Sequence, residues 1–364
     1  MTTTSESWVA TATELADDFR KRAAHYDETA ELPLDNLRAL HDSGLDLAWL
    51  PASRGGQALP WVTFGEVLTI IARACPSTAT IWLMHLGGAY GLIDMSDEPQ
   101  AAFFAAELAA GKRFANALSE PTSGNLFLVP LQVAEPSEGG HRLDGAKRFV
   151  SGCEIADYLL VNALVDGAPA FFGVEPDDSI TFVPIWDSMG LRATRSQLIT
   201  FNRTLLRADR RCTRPPAAPN PIPLGLPFLS LGVAQAAFAA ARSHARGRII
   251  PTFDAPLSDM QWVRFAAADV HVRLRAATLL ARDMTTLADA GDPEYMAAAF
   301  EAKLLANEIA KDAAALAVKI GGGSGYLRTS DIQRHFRDAQ AGALMAYSAE
   351  LCQSEIGKRL MEAD

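Results

Sequence analysis

Cysteine is scarce in this chain, with four residues among 364. Cys75, Cys153, Cys212 and Cys352 lie far apart and form no C-x-x-C pair. Such spacing argues against both a zinc framework and a set of disulfides. We therefore interpret the four as separate buried thiols and predict no metal site.

Positive charge is also in deficit, because the formal net charge at pH 7 is −10. This balance argues against nucleic acid as a partner. A local basic patch of Arg242, Arg246, Arg264 and Arg273 could bind a phosphate group or an acidic protein. The same arginines could equally be solvated helix faces, and the sequence leaves both readings open.

Targeting features are not recognisable in the sequence. Residues 1–19, MTTTSESWVATATELADDF, are polar and acidic, unlike a secretory signal. No apolar run reaches the roughly 18 residues that a membrane span requires. The expectation is a cytoplasmic protein without membrane contact.

Periodicity divides the chain into three domains. In residues 1–113 apolar residues recur every three or four positions, which predicts an N-terminal helical domain. Residues 114–213 hold short β-prone runs, with an Asp-Gly turn that predicts a hairpin in HRLDGAKRFVSG, and so indicate a small antiparallel, barrel-like β domain. Residues 214–364 begin with a proline-rich linker over 214–227. Long alanine-rich segments follow, typical of a four-helix bundle. The fold class is α+β, mostly α.

Three polar or glycine-rich segments are candidates for function, although each also has a plain structural reading. GGGSGY (321–326) follows a long helix, so it is either a helix C-cap or a close approach to a phosphate, and not a Rossmann site. SEPTSGN (119–125) is either a turn or a nest of donors for a polar cofactor. RHFRD (334–338) reads as a structural ion-pair cluster at the start of one helix over 334–360.

Taken in order, these segments resemble the motifs of the acyl-CoA dehydrogenase flavoprotein superfamily from about Leu15 to Leu360. LPLDNLRALHDSGLDLAWLPASRGGQALP is similar to the opening helices, and ALSEPTSGN to the flavin loop TEPxAGSD. GAKRFVSGCEIADYLLV resembles NGxKxWITNGxxAD, DSMGLRATRSQLITF resembles GxRxS, and KIGGGSGY and QRHFRDA resemble QxxGGxGY and RxxRDA.

The resemblance implies a fold, a cofactor and partners. The fold is an α domain, a β domain and a C-terminal four-helix bundle. FAD is expected between the β domain and the bundle, at the interface of a homo-oligomer, either a dimer or a tetramer. The implied substrate is an acyl group carried by CoA or by an acyl-carrier protein.

The resemblance also implies cofactor-binding positions. Phe149 stands at the tryptophan of the WIT motif and keeps an aromatic face, Ser151 keeps a hydroxyl, and Lys319 replaces a glutamine where a pyrophosphate would favour a cation. The full set is Leu118, Ser119, Gly124, Asn125, Phe149, Ser151, Arg248, Gln261, Lys319, Gly322, Gly323, Ser348 and Glu350.

The expected catalytic base is missing. In most of the family a glutamate follows the RD aspartate by eight positions, and counting from Asp338 reaches Ala346. Counting back from IGKR reaches Ala346 again. Some relatives supply the base from the start of the first bundle helix, but residues 219–235 contain no acidic residue. Tyr347 and Glu350 remain as candidates for an acid or base.

The interpretation is a FAD-dependent oxidoreductase acting on an acyl thioester. Its chemistry is expected to be non-standard, because Ala346 supplies no general base and a positioned general base typically contributes roughly 10²–10⁴ in rate. The alternatives are a flavin-dependent monooxygenase or oxidase on the same fold, or the base-less subunit of a heteromeric dehydrogenase.

Overall fold

The computed structural model describes residues 4–122, 127–217 and 219–362. Its N-terminal part is helical, and the helices are α1 (Ser5–Thr29), α2 (Leu34–Asp42), α3 (Trp61–Ala74), α4 (Pro76–Met95) and α5 (Glu98–Ala109). Helix α4 begins at Pro76, a residue that suits a first helical position because its missing N–H would have no partner there. Most α4 side chains are apolar and buried on every face, so this helix lies in the interior of the domain.

The middle of the chain forms two sheets. The strands are β1 (Phe114–Ala117), β2 (Ala134–Ser137), β3 (Gly140–Val150), β4 (Tyr158–Val165), β5 (Ala168–Val174), β6 (Ile180–Val183) and β7 (Gln197–Arg207). Their orders are β1-β4-β5 and β2-β3-β7-β6. The pairings are antiparallel except β1 with β4, which is parallel. The chain passes through β2 and β3 between these two strands, and such a long connection allows parallel pairing.

The Asp144-Gly145 pair does not form the expected hairpin turn, because β3 runs straight through it. Instead the pairing of β3 with β7 shifts register between Leu143 and Gly145, which is a β-bulge. Asp144 stabilises the bulge, since its carboxylate accepts the backbone N–H of Arg203 at 2.7 Å. Arg203 has φ +49°, outside the extended region. The Asp-Gly dipeptide favours a turn by itself, but in this strand it forms a bulge.

Helices return after the β domain. They are α6 (Pro221–Gly247), α7 (Gln261–Asp289), α8 (Tyr295–Tyr326), α9 (Asp331–Ala339), α10 (Ala341–Leu344) and α11 (Ala349–Glu362). Two short strands, β8 (Ile249–Ile250) and β9 (Ala255–Pro256), pair between α6 and α7. Helix α8 packs against α6, α7 and α11, and α6 also packs against α3. The bundle and the N-terminal helices therefore share one hydrophobic core.

The proline-rich linker expected over 214–227 is shorter than predicted, because α6 begins at Pro221. Asn220 caps the helix by accepting the N–H of Ile222 at 2.9 Å. Pro221 and Pro223 lie in the first turn, where a missing N–H removes no helical hydrogen bond. Proline at these positions starts a helix instead of interrupting one.

Helix α6 also corrects the expectation that no run is apolar enough to span a membrane. Within the described residues it is the one helix that meets the length and composition required. However, 83% of its 18-residue apolar stretch is buried inside the protein. A core helix surrounded by other helices has the same composition as a membrane span.

The segment expected to be a single helix over 334–360 is broken into three. Helices α9 and α10 end at Ala339 and Leu344, and residues 345–348 are not helical. Tyr347 has φ +57°, which a continuous helix cannot contain. Ser348 then starts α11, since its hydroxyl accepts the N–H of Leu351 at 3.3 Å. Ala346 therefore lies in an irregular segment between two helices.

The RHFRD segment joins parts of the chain that are distant in sequence. Arg337 forms an ion pair with Asp27 of α1 and donates to the carbonyl of Met189 at 2.7 Å. Asp338 is 5% exposed and accepts the N–H of Leu191 at 2.7 Å. Gly190 permits this approach, because a Cβ there would lie 2.5 Å from the Arg337 carbonyl carbon. The cluster holds α9 against both α1 and the β domain, which is a structural role.

Burial of His335 in this cluster predicts acid sensitivity. Burial and the neighbouring Arg334 lower the pKa of His335 from 6.5 to about 4. The unfolded chain therefore takes up the proton first, and the free energy of unfolding falls as the pH drops from about 6.5 to about 4. Between pH 7 and pH 5 this contribution amounts to about 2 kcal/mol.

Urea unfolding of wild type and His335→Gln at both pH values tests this expectation. On going from pH 7 to pH 5, the free energy of unfolding of the variant should fall by about 2 kcal/mol less than that of wild type. Asp338, whose pKa burial raises to about 6, contributes in the opposite direction, but equally to both proteins. Equal losses in the two proteins would show that His335 does not titrate as described.

Candidate active site

A cavity of about 450 Å³ lies where the N-terminal helices, the β domain and the bundle meet. Helix α4 forms one wall, and residues from β1, β4 and β5 form another. The starts of α6 and α8 and the irregular segment before α11 complete it. Its polar lining residues are Arg54, Tyr90, Asp94, Asn116, Arg214, Asn220, Tyr295 and Tyr347.

The α4 wall follows from helical periodicity. Gly87, Tyr90, Gly91 and Asp94 are spaced i, i+3, i+4 and i+7, so they lie on one face of the helix. Gly87 lets α6 approach closely, because a Cβ there would lie 2.3 Å from the Cγ1 atom of Ile222. The two helices thereby close the cavity at this point. Sequence reasoning missed Asp94, although an acid within so apolar a helix was a visible signal.

Of the two residues considered as acid or base, the structure brings one to the cavity. Tyr347 lines the cavity, and the centroid of its ring lies 5.1 Å from that of Phe127 and 5.5 Å from that of Phe300. Burial raises the pKa of Tyr347 to about 12, which favours the protonated phenol near neutral pH. Glu350 is exposed in the first turn of α11 and is not among the lining residues.

Ala346 is partly buried against the main core beside Tyr347. Its methyl group offers neither a donor nor an acceptor. The segment expected to carry the catalytic base therefore reaches the cavity through Tyr347 without bringing a carboxylate to it.

Phe149 forms an exposed aromatic surface at the end of β3. It is 54% exposed and has φ +61°, rare for an aromatic residue. A register shift between Lys147 and Val150 explains both features, because a bulge turns a side chain out of the regular alternation. The Phe149 ring meets Trp186 edge-on at 6.0 Å. Phe149 thus presents an apolar face that a planar ring system could cover.

Hydroxyl groups lie beside this surface. Ser151 is 8% exposed and shares a hydrogen bond of 2.8 Å with the hydroxyl of Ser196, which in turn meets Thr194 at 2.8 Å. Leu118 is buried and lines the cavity, and the carbonyl of Ser119 accepts the N–H of Arg148 at 2.9 Å. An aromatic face beside hydroxyl groups suits an isoalloxazine, so the residues of this first group fit a flavin.

A buried ion pair supports the loop that carries Leu118 and Ser119. Lys147 is 0% exposed and donates to Glu120 at 2.8 Å and to the Asn162 side chain at 2.7 Å. Glu120 also accepts the backbone N–H groups of Leu131 and Gln132 at 3.0 and 3.2 Å. The start of the SEPTSGN segment is thereby anchored, while Gly124 and Asn125 lie outside the described residues.

The cofactor residues expected from the bundle form a second group on other elements of the chain. Lys319 is exposed, and its ammonium lies 5.2 Å from the centroid of the Trp262 ring. Trp262 follows Gln261 at the start of α7. Helix α8 is kinked at Gly322, which has φ +51°. Open space surrounds Gly322 and Gly323, since a Cβ at either would meet nothing within 4 Å.

The remaining expected ligands differ in environment. Arg248 is exposed immediately after α6, whereas Ser348 is buried and caps α11. Within the described ranges no hydrogen bond or ring contact links the Phe149 surface with Lys319 or Gln261.

Comparison with known proteins agrees with this architecture. The family model described as "Acyl-CoA dehydrogenase, N-terminal domain" matches residues 2–112, and the model "Acyl-CoA dehydrogenase, C-terminal domain" matches residues 224–361. Among curated relatives, the 3-sulfinopropanoyl-CoA desulfinase of Advenella mimigardefordensis is 27% identical over 372 residues, covering 96% of this chain and 92% of that protein.

Solved structures share the fold. Butyryl-CoA dehydrogenase from Megasphaera elsdenii superimposes with a TM-score of 0.91 at 21% identity, over 98% of both chains. The FMN-bound TdsC from Paenibacillus sp. A11-2 does so with a TM-score of 0.87 at 22% identity, over 97% of both chains. With the N- and C-terminal family models matched in order on either side of the β domain, this chain belongs to the acyl-CoA dehydrogenase superfamily of flavin-dependent oxidoreductases.

Proposed function

We propose that this protein is a FAD-dependent oxidoreductase acting on an acyl thioester bound to CoA or to a carrier protein, without a glutamate base at position 346. One observation carries the proposal. Leu118, from the loop expected to hold the flavin, and Tyr347, from the segment expected to hold the base, line the same cavity. A thioester in this cavity would lie between the expected flavin loop and the Ala346 segment.

The residues of the chain would bind and shield the reacting groups. A bound flavin supplies a hydride acceptor. The apolar cavity wall would exclude water from it, Phe149 would offer it an aromatic face, and Ser151 would offer it a hydroxyl. Because Ala346 offers no carboxylate, the substrate would lose its proton by a route other than the family glutamate.

FAD rather than FMN is favoured by the second group of residues. Lys319, Arg248 and the open backbone at Gly322 and Gly323 would suit a pyrophosphate, because cations and exposed glycine backbone both favour phosphate groups. Among the described residues no hydrogen bond or ring contact joins this group to Phe149. We therefore propose a homo-oligomer in which a neighbouring copy completes each flavin site.

Purified protein distinguishes the proposed reaction from its alternatives. Bound FAD should be released on denaturation, and acyl-CoA or an acylated carrier protein should bleach the flavin anaerobically and slowly. Bleaching only by an external reductant, followed by oxygen uptake, would identify a monooxygenase or oxidase instead. Bleaching only after a second polypeptide is added would indicate the base-less subunit of a heteromer. Protein that retains no flavin would refute the proposal.

A further inference from the structure

A groove of about 440 Å³ lies between α3, α6 and α7. It is distinct from the cavity described above, because the two share no lining residue. Its floor is apolar and includes the buried side chains of Phe238 and Leu274, while Leu279, which also lines it, is 59% exposed. The groove therefore offers apolar surface that neighbouring side chains leave largely in solvent.

The groove follows from the residues on one face of α6. Gly232, Gln235, Ala239 and Arg242 recur every three or four positions and so share that face. Gly232 lets α3 approach closely, because a Cβ there would lie 2.8 Å from the carbonyl oxygen of Thr69. Further along, Ala239 has no side chain beyond its Cβ, which leaves the space between α6 and α7 open.

Arginines from all three helices line this groove. Arg73 comes from the last turn of α3, Arg242 from α6 and Arg275 from α7, and we call these three the groove arginines. His271 lies one turn before Arg275 and lines the groove as well. None of the described lining residues is acidic, although the chain holds 43 acidic residues against 33 lysines and arginines. The groove is thus a positive region on a negative protein.

The groove arginines keep their charges available. Among the described residues none of the three forms an ion pair. The patch considered from sequence is therefore divided, because Arg264 and Arg273 pair with aspartates at 2.7 and 2.6 Å and Arg246 is not a lining residue. Arg242 does belong to the groove, and its guanidinium lies 5.7 Å from the centroid of the Phe238 ring at the floor.

Shape and charge together specify what a partner must offer. From His271 to Leu279 helix α7 rises about 12 Å, a little over two turns of a helix. An apolar floor with a cationic rim is complementary to a helix that carries apolar residues on one face and carboxylates beside them. A nucleic acid would satisfy the arginines but would leave the aliphatic floor unmatched.

We propose that the groove between α3, α6 and α7 docks an acidic amphipathic helix of a second protein. The carboxylates of that helix pair with the groove arginines, and its apolar residues cover Phe238 and Leu279. The inference concerns an interaction surface and does not depend on the reaction in the cavity.

Fluorescence anisotropy with the purified full chain tests the proposal. The probe is a labelled peptide of about 18 residues, because much shorter isolated helices are marginal in water. Leucine recurs on one face, glutamate flanks it and alanine fills the other positions, while a second peptide carries glutamine in place of glutamate. Wild type should bind the glutamate peptide at least about 10-fold more tightly, and this preference should shrink as the salt concentration rises.

Substitutions separate the two parts of the groove. Arg242→Gln and Arg275→Gln should each weaken binding of the glutamate peptide by about 2–5-fold, the range of an exposed ion pair. Leu279→Ala should weaken binding of both peptides by about 3–10-fold, because it removes apolar surface. The matched controls are Arg328→Gln and Leu360→Ala, at exposed positions outside the lining, which should change either affinity by less than about twofold.

Equal affinity for the two peptides, or losses no larger than those of the controls, would overturn the inference. Displacement of the peptide by single-stranded DNA at an equal concentration of charge would also overturn it, because the groove would then bind any polyanion. Light scattering tests the remaining occupant. A smaller molecular mass for Arg242→Gln/Arg275→Gln than for wild type would assign the groove to a second copy of this chain and overturn the inference. None of these outcomes bears on the proposed flavin chemistry.

Discussion

Replacing Ala346 with glutamate is expected to raise the rate at which saturated acyl-CoA reduces the bound flavin by roughly 10²–10⁴-fold. Ala346 lies in the irregular segment between α10 and α11, next to Tyr347 on the cavity wall. A glutamate there would stand at the position where the motif resemblance places the catalytic base. Stopped-flow measurement of anaerobic flavin bleaching by butanoyl-CoA gives the rate directly.

The control for this gain is Leu344→Glu, which adds the same charge two residues earlier at a side chain that is 79% exposed. That variant should bleach no faster than wild type, because its carboxylate faces solvent. If both variants reacted at the wild-type rate while binding flavin normally, the base position would not be the limiting difference from the family.

Lys147→Met is expected to destabilise the protein by about 3–5 kcal/mol, because it leaves the Glu120 carboxylate buried without its cation. Both side chains are at most 1% exposed. Glu120 also anchors Leu131 and Gln132 beneath the expected flavin loop, so the variant should lose flavin more readily as well. Urea unfolding and flavin retention during gel filtration measure the two effects.

A double-variant comparison isolates the ion pair. In Lys147→Met/Glu120→Gln no buried charge remains unpaired, so the double variant should be more stable than Lys147→Met alone. A double variant less stable than the lysine variant would mean that Glu120 acts mainly through the backbone of residues 131 and 132. Arg20→Met, whose ion pair with Asp17 is exposed, should change stability by less than about 1 kcal/mol.

Sequence patterns that depend on neighbouring residues were read well. The helix–strand–helix order was predicted because apolar periodicity reflects local geometry. The ordered motifs led to the superfamily, which the N- and C-terminal family models confirm. Counting from Asp338 also placed Ala346 where a carboxylate is expected. This prediction depends on the sequence alone.

Errors arose where a distant contact decided between two local conformations. Asp144-Gly145 favours a turn by itself, but the N–H of Arg203 captures the Asp144 carboxylate and turns the dipeptide into a bulge. Proline at positions 221 and 223 suggested a linker, yet the Asn220 cap makes the same residues a helix start. Local propensity is a weak preference that a single tertiary hydrogen bond can outweigh.

The sequence by itself determined the family, the element types and the absence of a glutamate at position 346, because these depend on residue identity and order. Only the tertiary structure decided that Arg73, Arg242 and Arg275 meet at one groove. It also decided that Tyr347 enters the cavity while Glu350 remains in solvent. The reason is geometric, since a cavity is formed by residues that are far apart in the chain and acquires its charge only when the helices and sheets pack together.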